Sequence, residues 1–243
     1  MTRNRFLVLL AGAAATAAAA LCYFRFGRGW LPKPQSDRRV TVEHRLAQYG
    51  ARADARLKSE FKRAGVAYPP AEVALLAFKD VRALEVYARA YANDEWKHVT
   101  DYPVLGASGK LGPKLAEGDR QVPEGVYQVE LLNPNSRFHL SLRLNYPNEF
   151  DRRMGAADGR SNIGSDIMIH GSSSSIGCLA MGDDAAEDLF VLTARVSKER
   201  VRVVIAPVDF RVDTARVEVR EPRWVTQLYA NLREELTHFR RAV

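Results

Sequence analysis

The amino-acid sequence predicts a mostly β, α+β domain with flanking helices, preceded by an N-terminal membrane or signal helix. Three observations carry this. Seven segments between residues 72 and 221 alternate apolar and polar residues or are rich in β-branched and aromatic ones, as strands are. Helical periodicity is confined to one stretch before these segments, one among them and one at the end. An uncharged run from Phe6 to Phe24 stands between Arg3 and Arg5 on one side and Arg25 and Arg28 on the other.

Taken in order, the run FLVLLAGAAATAAAALCYF approaches the roughly 20 residues that cross a bilayer, and its basic flanks also fit a secretory signal. Export is expected. Ala18-Ala19-Ala20 offers a cleavage site, but the run continues to Phe24, which favours an uncleaved anchor over a cleaved signal. Cys22 follows Leu21 rather than a small residue, so it reads as apolar filling, not a lipidation site. Residues 1–34 are thus signal or anchor and the start of a linker, and residues 35–69 are linker and amphipathic helix. In the helix, Val42, Leu46, Tyr49, Ala53, Leu57 and Phe61 recur at three and four up to about Ala64, with Pro69-Pro70 beyond.

Strands are expected at EVALLAFK (72–79), ALEVYARAY (83–91), GVYQVELL (125–132), FHLSLRLNY (138–146), DIMIH (166–170), VRVVIAP (201–207) and ARVEVRE (215–221). Between the fifth and sixth of these, a helix begins near Asp184, where Asp184 and Glu187 can form a capping pair, and buries Leu189, Phe190, Leu192 and Val196. A last helix follows Pro222, with Trp224, Leu228, Leu232, Leu236 and Phe239 on one side. The glycine-rich GASGKLGPKLAEGD reads as a surface loop of the kind that carries binding groups.

With 243 residues, 47% of them hydrophobic, the chain can bury one sizeable core, and its 27% charged residues exclude collagen-like or wholly disordered readings. The net charge of +7 favours an acidic partner. No RNP-like motif, zinc-finger spacing or dense basic block with interleaved aromatics occurs, so nucleic acid is not expected; an anionic wall polymer or phospholipid face fits.

The chemistry concentrates in IMIHGSSSSIGCLAM (167–181). Alternation places Asp166, Met168 and His170 on one face and ends a strand with His170 at the rim of the sheet. Gly171 and four serines can turn the chain back and bring Cys178 beside His170. A thiol next to an imidazole can form a thiolate–imidazolium pair, a nucleophile near neutral pH. Gly177 leaves room for a substrate carbonyl, and the backbone N–H groups of Gly177 and Cys178 can donate to an oxyanion. Acyl transfer suits this arrangement. From the spacing alone, a buried and inert Cys178 stays open. One cysteine and one histidine make only two ligands, with no Cys-x-x-Cys or His-x3-His beside them, so neither metal nor cofactor is expected. His44, His98, His139 and His238 read as surface or strand residues.

HGSSSSIGCLAM, preceded by EGDRQVPEGVYQVE and FHLSLRLNYPNEFD, resembles the L,D-transpeptidase (YkuD-type) catalytic domain, in its YafK-like branch. The resemblance covers residues 70–210, leaving 211–243 as a C-terminal strand and amphipathic helix. It implies a β-sandwich-like domain, with His170 as general base, Cys178 as nucleophile, and Gly171 and Ser175 contacting substrate. It further implies a thioester formed with a peptidoglycan stem peptide and passed to an amine, in the periplasm, with the inner membrane holding residues 6–24 unless they are cleaved. Ile176 stands where the family usually has a second histidine, and Ala180 where a polar or basic residue is common. The YafK-like branch also includes enzymes that release envelope protein from diaminopimelate, so a hydrolase using the same cysteine is the alternative, and a non-catalytic wall-binding protein a third reading.

Overall fold

The computed structural model describes residues 39–212, 217–219 and 221–240. The apolar run at 6–24 and its expected membrane role lie outside them, as does part of the expected strand at 215–221. Among the described residues no helix is long and apolar enough to cross a membrane.

Helix α1 spans Val42–Ala64; the Thr41 hydroxyl accepts from the His44 amide at 3.2 Å, and Gly65 ends it at φ 64°, a conformation glycine adopts without steric cost. Its buried stripe is Ala53, Leu57 and Phe61. Strands β1 (Glu72–Phe78) and β2 (Ala83–Arg89) form an antiparallel pair, joined on the β2 side by β3 (Lys97–Pro103). There follow β4 (Gly106–Ala107), β5 (Gly125–Asn133), β6 (Ser141–Leu144), helix α2 (Glu149–Ala157), β7 (Met168–His170), β8 (Leu179–Ala180), helix α3 (Asp183–Val196), β9 (Val201–Ala206) and helix α4 (Val225–Leu236). The strand order is β3-β2-β1-β9-β5-β6-β7-β8-β4. Six of the seven residues of β1 are buried, which is why its sequence is a continuous apolar run: both of its faces are covered.

The expected sandwich is a single curled sheet, and the class is mixed α+β. β5 is the cause. Its first half pairs with β9 and its second with β6, with a register shift between Val129 and Leu131, so the two halves of the sheet are never separated and bend where the bulge lies. Leu75, Val86 and Ile205 from one half meet Leu142, Ile169 and Leu179 from the other in one core, closed by Leu57 and Phe61 of α1 and Leu189 and Phe190 of α3. The opposite face of β1, β2 and β9 packs Leu76, Phe78, Tyr87 and Val204 under Leu228, Leu232 and Leu236 of α4.

A buried polar knot ties α4 and β1 to the loop between β4 and β5. Lys79 Nζ donates to Glu124 at 2.9 Å and to the Gly112 and Val122 carbonyls, while Tyr229 donates to the second carboxylate oxygen at 2.9 Å. Burial pulls the Lys79 pKa down and the Glu124 carboxylate opposes that, so every member is matched.

Several expectations change. β3 and α2 were not foreseen, and the strand expected at 138–146 shrinks to β6. The residues described at 217–219 are not in a strand; Val217 and Val219 pack on the α4 side instead. The Asp184–Glu187 capping pair does not form: α3 begins at Asp183 behind Gly182, with no side-chain cap, because Glu187 is drawn to Arg52 and His139.

Candidate active site

β7 lies between β6, antiparallel to it, and β8, parallel to it. Parallel strands are usually joined by a dozen or more residues, whereas β7 and β8 are joined by 171–178 alone. Such a short return needs the residues it has. Ser172 sits at φ 62° and Gly177 at φ 100°, left-handed conformations that large side chains resist. A Cβ on Gly171 would lie 2.6 Å from Asp183 Oδ1 and 2.8 Å from the Phe138 carbonyl oxygen. The Ser172 amide donates to Asp183 at 2.8 Å, and the Met181 amide to the His170 carbonyl at 2.8 Å, closing the turn. The serine and glycine stretch is therefore a fixed turn.

Ile169 and Leu179 are register partners in the core, so alternation sends His170 and Cys178 to the other face of neighbouring strands. Cys178 stands immediately before β8, two positions ahead of Ala180, the register partner of His170. His170 is not the rim residue expected: it is 2% exposed, and Phe138 stacks on it at 4.7 Å between centroids with 27° between planes. Its Nδ1 lies 2.6 Å from the Gly171 carbonyl oxygen. A carbonyl only accepts, so Nδ1 carries the proton and Nε2 the basic lone pair.

No hydrogen bond joins thiol and imidazole; the sulfur lies 3.8 Å from the Asp166 carbonyl oxygen. Burial pushes the Cys178 thiol up and the Asp166 charge adds to this, while the Met168 amide and the Lys114 charge pull it down less strongly. Burial also pushes the His170 imidazole down, against the bond to Gly171. Both shifts run toward the neutral forms, a thiol and an uncharged imidazole. Lys114 is buried and held by Asp119 at 2.6 Å.

The two amides assigned to an oxyanion are occupied. Gly177 N–H donates to Ser108 Oγ at 2.6 Å and Cys178 N–H to Ser175 Oγ at 3.0 Å, while the Ser175 hydroxyl donates to the Cys178 carbonyl at 2.6 Å. They would serve an oxyanion only once those hydroxyls turned away. Ser175 thus braces the Cys178 backbone, and Gly171 makes room for Phe138 and Asp183. Sequence reading missed Ser108, Lys114 and Phe138. Their only signal was membership of a glycine-rich loop or of an expected strand. Among the described residues no group of three or more His, Cys, Asp or Glu side chains could hold a metal.

Residues 83–205 match the family model of the L,D-transpeptidase catalytic domain, YkuD. The chain belongs to this family. It is 31% identical over 144 residues to YafK of Escherichia coli (strain K12), covering 58% of this chain and 55% of YafK, and matches YafK of Escherichia coli O157:H7 to the same extent. The chain thus spans about half the length of the relatives it matches. Among solved structures it is similar to the helical cell shape determining protein Pgp2 from Campylobacter jejuni, at 24% identity, 55% of this chain, 47% of Pgp2 and a TM-score of 0.44. Bd1075 from Bdellovibrio bacteriovorus matches at 21% identity over 71% of this chain and 57% of its own, with a TM-score of 0.41. Membership of the L,D-transpeptidase family supports a peptidoglycan-related function.

Proposed function

We propose that this YkuD-family protein is a cysteine-dependent acyl transferase acting on peptidoglycan stem peptides through a thioester on Cys178. The observation that supports the reading is the neutral His170, protonated on Nδ1 and basic at Nε2, on the same sheet face as the thiol. As the sulfur attacks the stem-peptide carbonyl, Nε2 takes the thiol proton; the tetrahedral intermediate collapses, the C–N bond breaks and Nε2 returns that proton to the departing amine. An incoming amine then attacks the thioester, Nε2 removes its proton, and the C–S bond breaks to regenerate the thiol. The low imidazole pKa keeps Nε2 free at neutral pH, and the high thiol pKa means that the nucleophile is made only when a carbonyl is in place.

A second reading, hydrolysis of the same thioester, rests on Ile176. Its side chain is 77% exposed beside the cysteine and offers no proton acceptor to an incoming amine. We place the chain in the periplasm on the strength of its N-terminal sequence, held by residues 6–24 or released by cleavage; a wall-linked envelope protein is a candidate substrate only under the hydrolytic reading. The test is intact-mass analysis of the chain after exposure to a carbapenem, then to purified muropeptides with and without a free amine. A single adduct, lost in Cys178→Ser, supports the thioester. A folded protein without an adduct refutes it. Cross-linked product identifies a transferase and water-cleaved product a hydrolase, and Ile176→His should raise the ratio of the first to the second.

A further inference from the structure

Phe138 is an exposed aromatic in the connection between β5 and β6, yet its ring covers one face of His170. The segment that carries it is gripped from α1. Val40, just before the helix, exchanges two hydrogen bonds with the Asn135 side chain, at 2.9 and 2.8 Å. Arg45 Nε donates to the Pro134 carbonyl at 2.8 Å. One turn further on, the Tyr49 ring meets the His139 ring edge-on at 5.0 Å. Next, Arg52 donates from both Nε and Nη2 to the wholly buried Glu187 of α3, which also bonds His139 Nε2 at 2.8 Å. His139 is held at φ 71°, which a non-glycine residue keeps only where its surroundings over-determine it.

We propose that Phe138 is a positioning residue for His170 and that α1 sets its pose through Arg52, Glu187 and His139. The proposal rests on the reading of His170 as the base. None of the α1 residues involved falls within the part of the chain that matches the family domain, 83–205. The family site in this protein is therefore completed by a helix from outside it. A ring stacked on the imidazole keeps water from that face and restricts rotation of the side chain, so Nε2 keeps one orientation. The titratable and charged groups around this assembly include Cys178 just before β8, Asp183 and Glu187 from α3, His139 beside Phe138, Arg52 and Arg56 from α1, both paired with Glu187, and Asp166 and Lys114 near the sulfur.

The experiment compares the full chain with Phe138→Ala, Phe138→Tyr, Arg52→Ala and His170→Ala, measuring the rate of carbapenem acylation from pH 5 to 9 together with the thermal melt. Phe138→Ala should acylate about tenfold more slowly, and its low-pH limb should move up by about half a unit as the imidazole becomes hydrated. Phe138→Tyr keeps the ring and should restore both. Arg52→Ala, which touches neither reacting group, should move rate and limb in the same direction; if it does not fold, Arg52→Lys replaces it, keeping the charge without the two-toothed grip. A folded Phe138→Ala with wild-type rate and limb overturns the proposal, and a folded Arg52 variant with a wild-type limb overturns the part assigned to α1. Unchanged acylation in His170→Ala would instead refute the underlying reading of the site.

Discussion

The protonation state of the resting pair gives a direct test of how Cys178 is activated. An unperturbed thiol titrates at 9.0, so at pH 7 about one in a hundred is ionised, and burial of Cys178 lowers that fraction further. The imidazole is displaced the other way, below 6.5. Alkylation by iodoacetamide, which needs a preformed thiolate and no help from His170, should therefore rise about tenfold per pH unit from 6 to 9 without a plateau. Acylation by a carbapenem draws the proton to Nε2 as the bond forms, so it should rise through the low imidazole pKa and be flat by about pH 7. His170→Gln should lower the second rate by about a hundredfold or more and leave the shape of the first profile intact. A plateau in alkylation near neutral pH, abolished in His170→Gln, would mean that a thiolate–imidazolium pair exists at rest and that the neutral-pair argument is wrong.

Two further outcomes follow from the packing. Gly171→Ala would press a methyl group against Asp183 Oδ1 and the Phe138 carbonyl, and should cost about 1–3 kcal/mol in urea unfolding as well as slowing acylation; a variant with wild-type stability and rate would show that the turn has slack. Burial lifts the Asp151 carboxyl from 3.8 to about 6, so the native state holds this proton more tightly than the unfolded chain does. This group therefore lowers stability as pH rises from about 4 to 6, by up to about 3 kcal/mol. Asp54, Asp119 and Glu187, whose carboxyls are held low, act in the opposite sense. The informative quantity is thus the difference between Asp151→Asn and wild type, which should move in favour of the variant across that window; a flat difference refutes the assignment.

What could be read from sequence depended on whether an element's partners are local. α1 was legible to its last turn because its stripe and its proline stop are both in the segment itself. β1 was legible because a strand covered on both faces is apolar throughout, and β9 because Arg202 is its one polar residue. β3 was missed since it buries only Val99 among seven residues, and an edge strand with one anchor shows no alternation. α2 was missed because it buries only Gly155. In the site, His170 and Cys178 stood out by type and spacing. What surrounds them did not. Ser108 reaches Gly177 across 69 positions and Arg52 reaches Glu187 across 135, and nothing local distinguishes these residues from ordinary polar ones. Glu187 was therefore given to a helix cap, the nearest use for it, when its partners lay in another helix and another loop.

The knot of Lys79, Glu124 and Tyr229 bears on how this protein can be divided. The family match stops at residue 205, yet the far face of β1, β2 and β9 is lined by Leu76, Phe78, Tyr87 and Val204 and has α4 as its cover. A fragment ended at residue 205 would present that face to solvent as a continuous sticky patch, and would leave one oxygen of a buried carboxylate without its phenol. Such a fragment should self-associate on expression. The smallest soluble piece must therefore run through Phe239 and, at its other end, begin before α1.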